Sequence, residues 1–107
     1  MPQSVVTALT RNSVVRPIGY EELVIGAAAV GLTAALVANA WLIVIRLDDG
    51  GEIRFRVDGP DPTPTSGFPA FALDMIEFHQ PEAQGFRAIR TAAPDMTARV
   101  LYYAIPT

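Results

Sequence analysis

The chain has 107 residues, half of them hydrophobic and 18% charged, with 11 acids against 8 bases, one His and no Cys. That length is one domain, and the lack of Cys excludes a disulfide scaffold. A net charge of −3 argues against nucleic acid as a partner, since binding a phosphate backbone depends on clustered Lys and Arg.

Residues 1 to 19 mix Ser, Thr, Asn, Arg and two Pro with the apolar pairs Val5-Val6 and Val14-Val15, and they read as an extended N-terminal arm with at most one edge strand. Their start, Met1-Pro2-Gln3-Ser4, lacks the basic opening of a signal peptide. Tyr20 to Ile25 is the first expected strand, and the Ala/Gly-rich passage Gly26 to Ala40 is read as a loop or close-packed segment in which a helix is an open alternative. Leu23 to Ile45 is a run of 23 uncharged residues, long enough for one membrane-spanning helix. Against a span stand Gly26, Gly31, Thr33 and Asn39 within the run and the β-branched block Trp41 to Ile45, so the expectation is strand and no membrane. A small single-span membrane protein remains an alternative.

Two β-rich runs, Trp41 to Leu47 and Glu52 to Val57, flank Asp48-Asp49-Gly50-Gly51, which predicts a hairpin. In the second run Ile53, Phe55 and Val57 alternate with Glu52, Arg54 and Arg56, giving one core face and one wet face. Gly59 to Gly67 holds three Pro and two Gly in nine residues and is expected to be an ordered loop. Phe71 to Phe78, Phe86 to Thr91 and Ala98 to Ala104 complete the strands. Turn signals every 8 to 12 residues predict an all-β fold, a single antiparallel β-sandwich, jelly-roll-like, of six or seven strands over residues 20–107 behind the arm 1–19.

Residues with chemistry are few. His79 is the only imidazole, and Glu77 shares its strand face, but two ligands fall short of the three or four that zinc takes, so no metal or other cofactor is expected. Asp48, Asp49 and Glu52, and separately Asp58 and Asp61, match no Ca²⁺-loop pattern and read as solvated turn acids. Ser4, Ser13 and Ser66 lie in no nucleophile elbow, which points away from an enzyme. Arg54 and Arg56 on one wet strand face, with Arg87 and Arg90 on another, could form a phosphate stripe, but in an acidic chain ion pairs across strands or across a subunit contact are the better reading. A sugar-binding module would show an aromatic platform, whereas Trp41 sits in the most apolar run and is expected in the core.

Half the residues being hydrophobic is a large share for a domain whose surface-to-volume ratio leaves little interior, so part of the surface is expected to be covered by other subunits. Arg54, Arg56, Arg87, Arg90, Tyr102 and Tyr103 are the candidate assembly contacts. The ordered series Arg16-Pro17-Ile18-Gly19-Tyr20-Glu21-Glu22-Leu23, Ala29-Val30-Gly31-Leu32, Ile53 to Gly59, Asp61 to Gly67, Phe86-Arg87-Ala88-Ile89-Arg90 and Val100-Leu101-Tyr102-Tyr103 resembles a family of small virion structural proteins of tailed bacteriophages. The chain departs from that family at its Ala-rich segment Ala34 to Ala40, where a more polar turn is expected. The resemblance implies a short β-sandwich with an arginine strand, an Asp-Gly turn leading to a Pro-Thr loop and a closing Tyr-Tyr strand, without catalytic residues. It implies a capsid decoration (cement) protein bound to the major capsid protein or other virion proteins, as a homo-oligomer with a trimer favoured, located in virions assembled in the host bacterial cytoplasm. A neck or tail component is the alternative.

Overall fold

The described residues form eight strands: β1 (Arg16–Ile25), β2 (Val30–Gly31), β3 (Leu42–Leu47), β4 (Glu52–Arg56), β5 (Phe68–Phe71), β6 (Met75–His79), β7 (Arg87–Arg90) and β8 (Met96–Ala104), with inward apolar and outward polar side chains alternating most clearly along β4. Two short helices, α1 (Ala34–Ala38) and α2 (Gln80–Gln84), join them. The computed structural model describes residues 16–105, so most of the expected arm 1–19 lies outside the described residues. The first strand opens at Arg16, four residues before the expected start of the sandwich.

The strands form two antiparallel four-stranded sheets, ordered β1-β8-β3-β6 and β2-β7-β4-β5. Thus β1 pairs with β8, β2 with β7, β3 with β6 and β4 with β5. A long double ribbon that folds back at the β4–β5 connection and wraps into two sheets is a jelly roll. The fold is therefore the expected all-β antiparallel sandwich, with eight strands among the described residues in place of six or seven. The added strands come from β2, inside the Ala/Gly-rich passage, and from a turn at Ala72–Asp74 that splits the expected run Phe71 to Phe78 and starts pairing at Phe68.

The predicted hairpin of Trp41 to Leu47 with Glu52 to Val57 does not form. β3 pairs with β8 and β6, whereas β4 pairs with β5 and β7 in the other sheet. The turn is where it was expected, with Gly50 at φ 148° and Gly51 at φ 153°, but it carries the chain across the sandwich. Ile43, Ile45 and Leu47 then face Ile53 and Phe55 through the core rather than along one sheet. Leu23 to Ile45 is likewise not one helix: it runs through the end of β1, β2, α1 and most of β3. Among the described residues no helix is long and apolar enough to cross a membrane.

Between the sheets Ile25, Ile43, Ile45, Leu47, Ile53, Phe86, Met96, Val100 and Tyr102 are fully enclosed. Phe55, Phe78 and Phe86 cluster with ring centroids 5.5–5.9 Å apart, which places the predicted core face of β4 where the alternation put it. The two helices and the Pro-rich loop close one end of the sandwich, where Gln80 donates to the carbonyls of Val37 and Ala38 at 3.1 and 2.8 Å. Gly85, after α2, passes so close to β4's end that a Cβ there would lie 2.2 Å from the Val57 carbonyl oxygen. In the Pro-rich loop Thr63 and Ser66 exchange backbone hydrogen bonds of 3.0 and 3.1 Å, so the segment is ordered as expected.

Candidate assembly surfaces

Period-two geometry sorts the arginines. Arg54 and Arg56 leave the outer face of the β2-β7-β4-β5 sheet, and Arg87 joins them because it stands opposite Arg56. Arg90 stands opposite the buried Ile53, on the other side of that sheet, so Arg87 and Arg90 do not share a face as expected. Their spacing of three is odd, and odd spacings in a strand point to opposite faces. Each is paired within the chain. Arg54 meets Glu52 at 3.2 Å, Arg56 grips both carboxylate oxygens of Asp58 at 2.9 and 2.6 Å, Arg87 meets Asp61 at 2.7 Å and Arg90 binds Asp95. The hydrogen bonds between Arg56 and Asp58 hold the carboxyl below its ordinary range and raise the guanidinium. Ile89, opposite Arg54, is almost enclosed on this otherwise charged face. Stems of neighbouring arginines can shield such a residue while their heads stay in water.

The tyrosines of β8 are not surface groups. Tyr102 points into the core, fully buried, and its hydroxyl donates to Glu21. Burial first, and then Glu21, drive its ionisation far above the ordinary phenol range. Glu21 also accepts from the Thr33 amide at 3.2 Å and the Thr33 hydroxyl at 2.7 Å, so this inward carboxylate of an edge strand clasps β1 to the segment before α1. Tyr103 points the opposite way yet is only 5% exposed, packed with Leu42 and Val44 in a second apolar cluster on the outer face of the β1-β8-β3-β6 sheet. Trp41, expected in the core, is half-buried against this second cluster, with its ring edge-on to His79 at 4.9 Å.

Glu77 and His79 do share a face, opposite Val44 and Leu42. One carboxylate oxygen of Glu77 is enclosed without a hydrogen-bond partner, and burial pushes its carboxyl up, partly opposed by His79. Among the described residues no three of His, Asp and Glu converge as metal ligands would. Ser66 borders an open cleft of about 540 Å³ with Arg56, Asp58 and Phe68, next to the arginine sheet, whereas His79 belongs to the other sheet. Arg99 is held by both oxygens of Asp48 at 2.9 and 3.0 Å, by Glu22 at 3.0 Å and by the Tyr20 hydroxyl at 3.1 Å.

The largest unmet chemistry is apolar. Phe68, Phe71, Leu73 and Met75 are 65, 52, 59 and 42% exposed along the β5–β6 edge. Leu73 has φ 69°, the left-handed region that a branched side chain avoids. The turn is pinned there: the Leu73 amide donates to Leu47 at 3.1 Å, the Ala72 amide to Gly51 at 3.0 Å, and the Phe71 amide to the Asp74 carboxylate at 2.8 Å. Comparison with protein-family models, with curated proteins and with solved structures gives no match to this chain.

Sequence reasoning missed this apolar edge. Phe71 to Phe78 reads as one continuous strand, which hides the turn at Ala72–Asp74 and the exposed side chains around it. The signal available was Asp74, which caps a turn inside the run. Glu21 and Arg99 were also missed, since their partners lie 12 or more positions away.

Proposed function

We propose that this protein is a non-enzymatic structural component of a bacteriophage virion, a decoration or cement protein that binds the head shell and stabilises it. The observation that carries the reading is the exposed apolar edge Phe68 to Met75 on a jelly-roll body whose arginines Arg54, Arg56, Arg87 and Arg90 are already paired within the chain. A patch of this kind marks a protein contact rather than a phosphate-binding one. Jelly rolls recur in viral capsid domains among other settings, and the ordered motifs from Arg16 to Tyr103 resemble those of small phage virion proteins. The fold by itself carries no function. A decoration protein would bury such an edge against its neighbours, adding area between capsomers without chemistry.

The test is to purify particles of the phage that encodes the chain and locate it with gold-labelled antibody. Label over the head surface supports the reading, together with heads that lose thermal stability when the protein is absent. Label confined to the neck or tail replaces it with the other virion role. A protein absent from particles refutes both.

A further inference from the structure

We infer that the exposed β5–β6 edge docks onto the β1–β8 corner of a second copy of this chain, head to tail, closing a ring. This deepens the reading of the protein as part of an assembly and rests on that reading, not on attachment to a shell. The argument starts from Leu73, which is both solvent-exposed and held at φ 69°. Neither water nor its own backbone favours Leu there, and local strain of this kind is retained at contact sites. With Phe68, Phe71 and Met75 it exposes roughly 400 Å² of apolar side chain, scaling from the 150–250 Å² of an aromatic residue. That is about half of the ~800 Å² that one partner contributes to a standard interface.

The complementary surface lies on the opposite edge. Of the large hydrophobic residues exposed in the described chain, Tyr20, Val24 and Leu101 sit together on β1 and β8, leaving only Ile105 outside the two groups. The register places the two groups at one height. Leu23 pairs with Ala98 and Ala98 with Leu47, whose carbonyl accepts from Leu73, so the turn stands level with the Leu23–Val24 end of β1. In the adjacent row Glu22, Arg99, Arg46 and Met75 lie in register across the whole sheet. A copy rotated about an axis parallel to the strands, without rise, therefore brings Leu73 against Val24 and Met75 beside Glu22, with Arg46 one strand further in on the same face. Rotation without rise closes a ring rather than growing a filament.

Charge agrees with this docking. Arg46 has no ion pair among the described residues, whereas Glu22 on β1 shares the cation Arg99 with Asp48 at the end of β3. The even number of strands also keeps neighbours antiparallel, with β6 of one copy beside β1 of the next. A two-fold contact of one β5–β6 edge with another would leave Tyr20, Val24 and Leu101 in water.

The test measures the mass of the purified full chain by light scattering, for the wild type, Leu73→Asn, Val24→Arg and an equimolar mixture of the two variants. Asn tolerates the left-handed conformation better than Leu, so Leu73→Asn keeps the β circular dichroism and a cooperative thermal transition. The expected result is a wild-type ring of three or more copies and two folded monomeric variants. The mixture forms a species of twice the 11.5 kDa chain mass, because each variant retains the surface the other lacks. A monomeric wild type overturns the inference, as does a dimer that Val24→Arg leaves intact, a ring that survives both substitutions, or variants that fail to complement. Location in the virion is read separately, so a failed ring and a failed virion role are told apart.

Discussion

At Glu77 a carboxylate oxygen is enclosed beside Val44 without a hydrogen-bond partner, and the folded protein therefore favours the protonated acid. A carboxyl raised on folding is no burden below its unfolded value of 4.5 and becomes destabilising as pH rises through the folded value. Glu77→Gln is accordingly expected to raise the thermal midpoint at pH 7, with the gain shrinking towards pH 4, as followed by circular dichroism. A gain that stays constant with pH would refute the titration. Nothing in the residue types announced this, since Glu77 two positions from His79 reads equally well as half of a metal site. Tyr102 and Tyr103 show the same limit. Both lie in an apolar strand end, and only pairing on both sides of β8 shows that each face of that strand is covered.

Elements were more legible than residues where the period of the pattern decides, and less where partner choice does. The alternation Ile53, Arg54, Phe55, Arg56 placed the core face of β4 correctly because a strand's period is a local property. The Asp-Gly turn marked a reversal correctly, but the hairpin inference failed because β3 is apolar on both faces and takes β8 and β6 as neighbours. Phe55→Asp is expected to abolish folding. It removes an aromatic side chain worth about 3–5 kcal/mol and buries a charge, which approaches the whole stability of a small domain. Arg54→Ala is expected to cost no more than about 1 kcal/mol, because its partner Glu52 sits at a partly solvated surface. Urea midpoints of the two variants check both statements, and equal tolerance would contradict the assignment of faces.

Across the whole molecule, each pairing of the wrapped ribbon joins parts of the chain whose separation grows outward from the β4–β5 connection, until Arg16 lies opposite Ala104. Loop closure of that span precedes any reward from the contact, so refolding is expected in milliseconds to seconds rather than microseconds. Trp41, the only tryptophan, packs beside Leu42 and Tyr103 and gives a fluorescence signal for closure of that sheet. A dominant sub-millisecond phase in stopped-flow refolding would contradict this. Sandwich class and antiparallel pairing were legible from turn spacing, but the nesting of β1 with β8 was not, because no local pattern encodes a partner more than 70 residues away.

The pairing of β1 with β8 also sets an order on synthesis. β1 emerges from the ribosome before the other described strands, yet among the described residues its only sheet neighbour is β8, which links β1 to β3. Until β8 has emerged, β1 lacks this neighbour, and Val24 and Tyr20 stand on an unpaired strand. A nascent chain stalled short of β8 is thus exposed to holdase chaperones and proteases, and the emergence of β8, rather than gradual stabilisation, releases it from them.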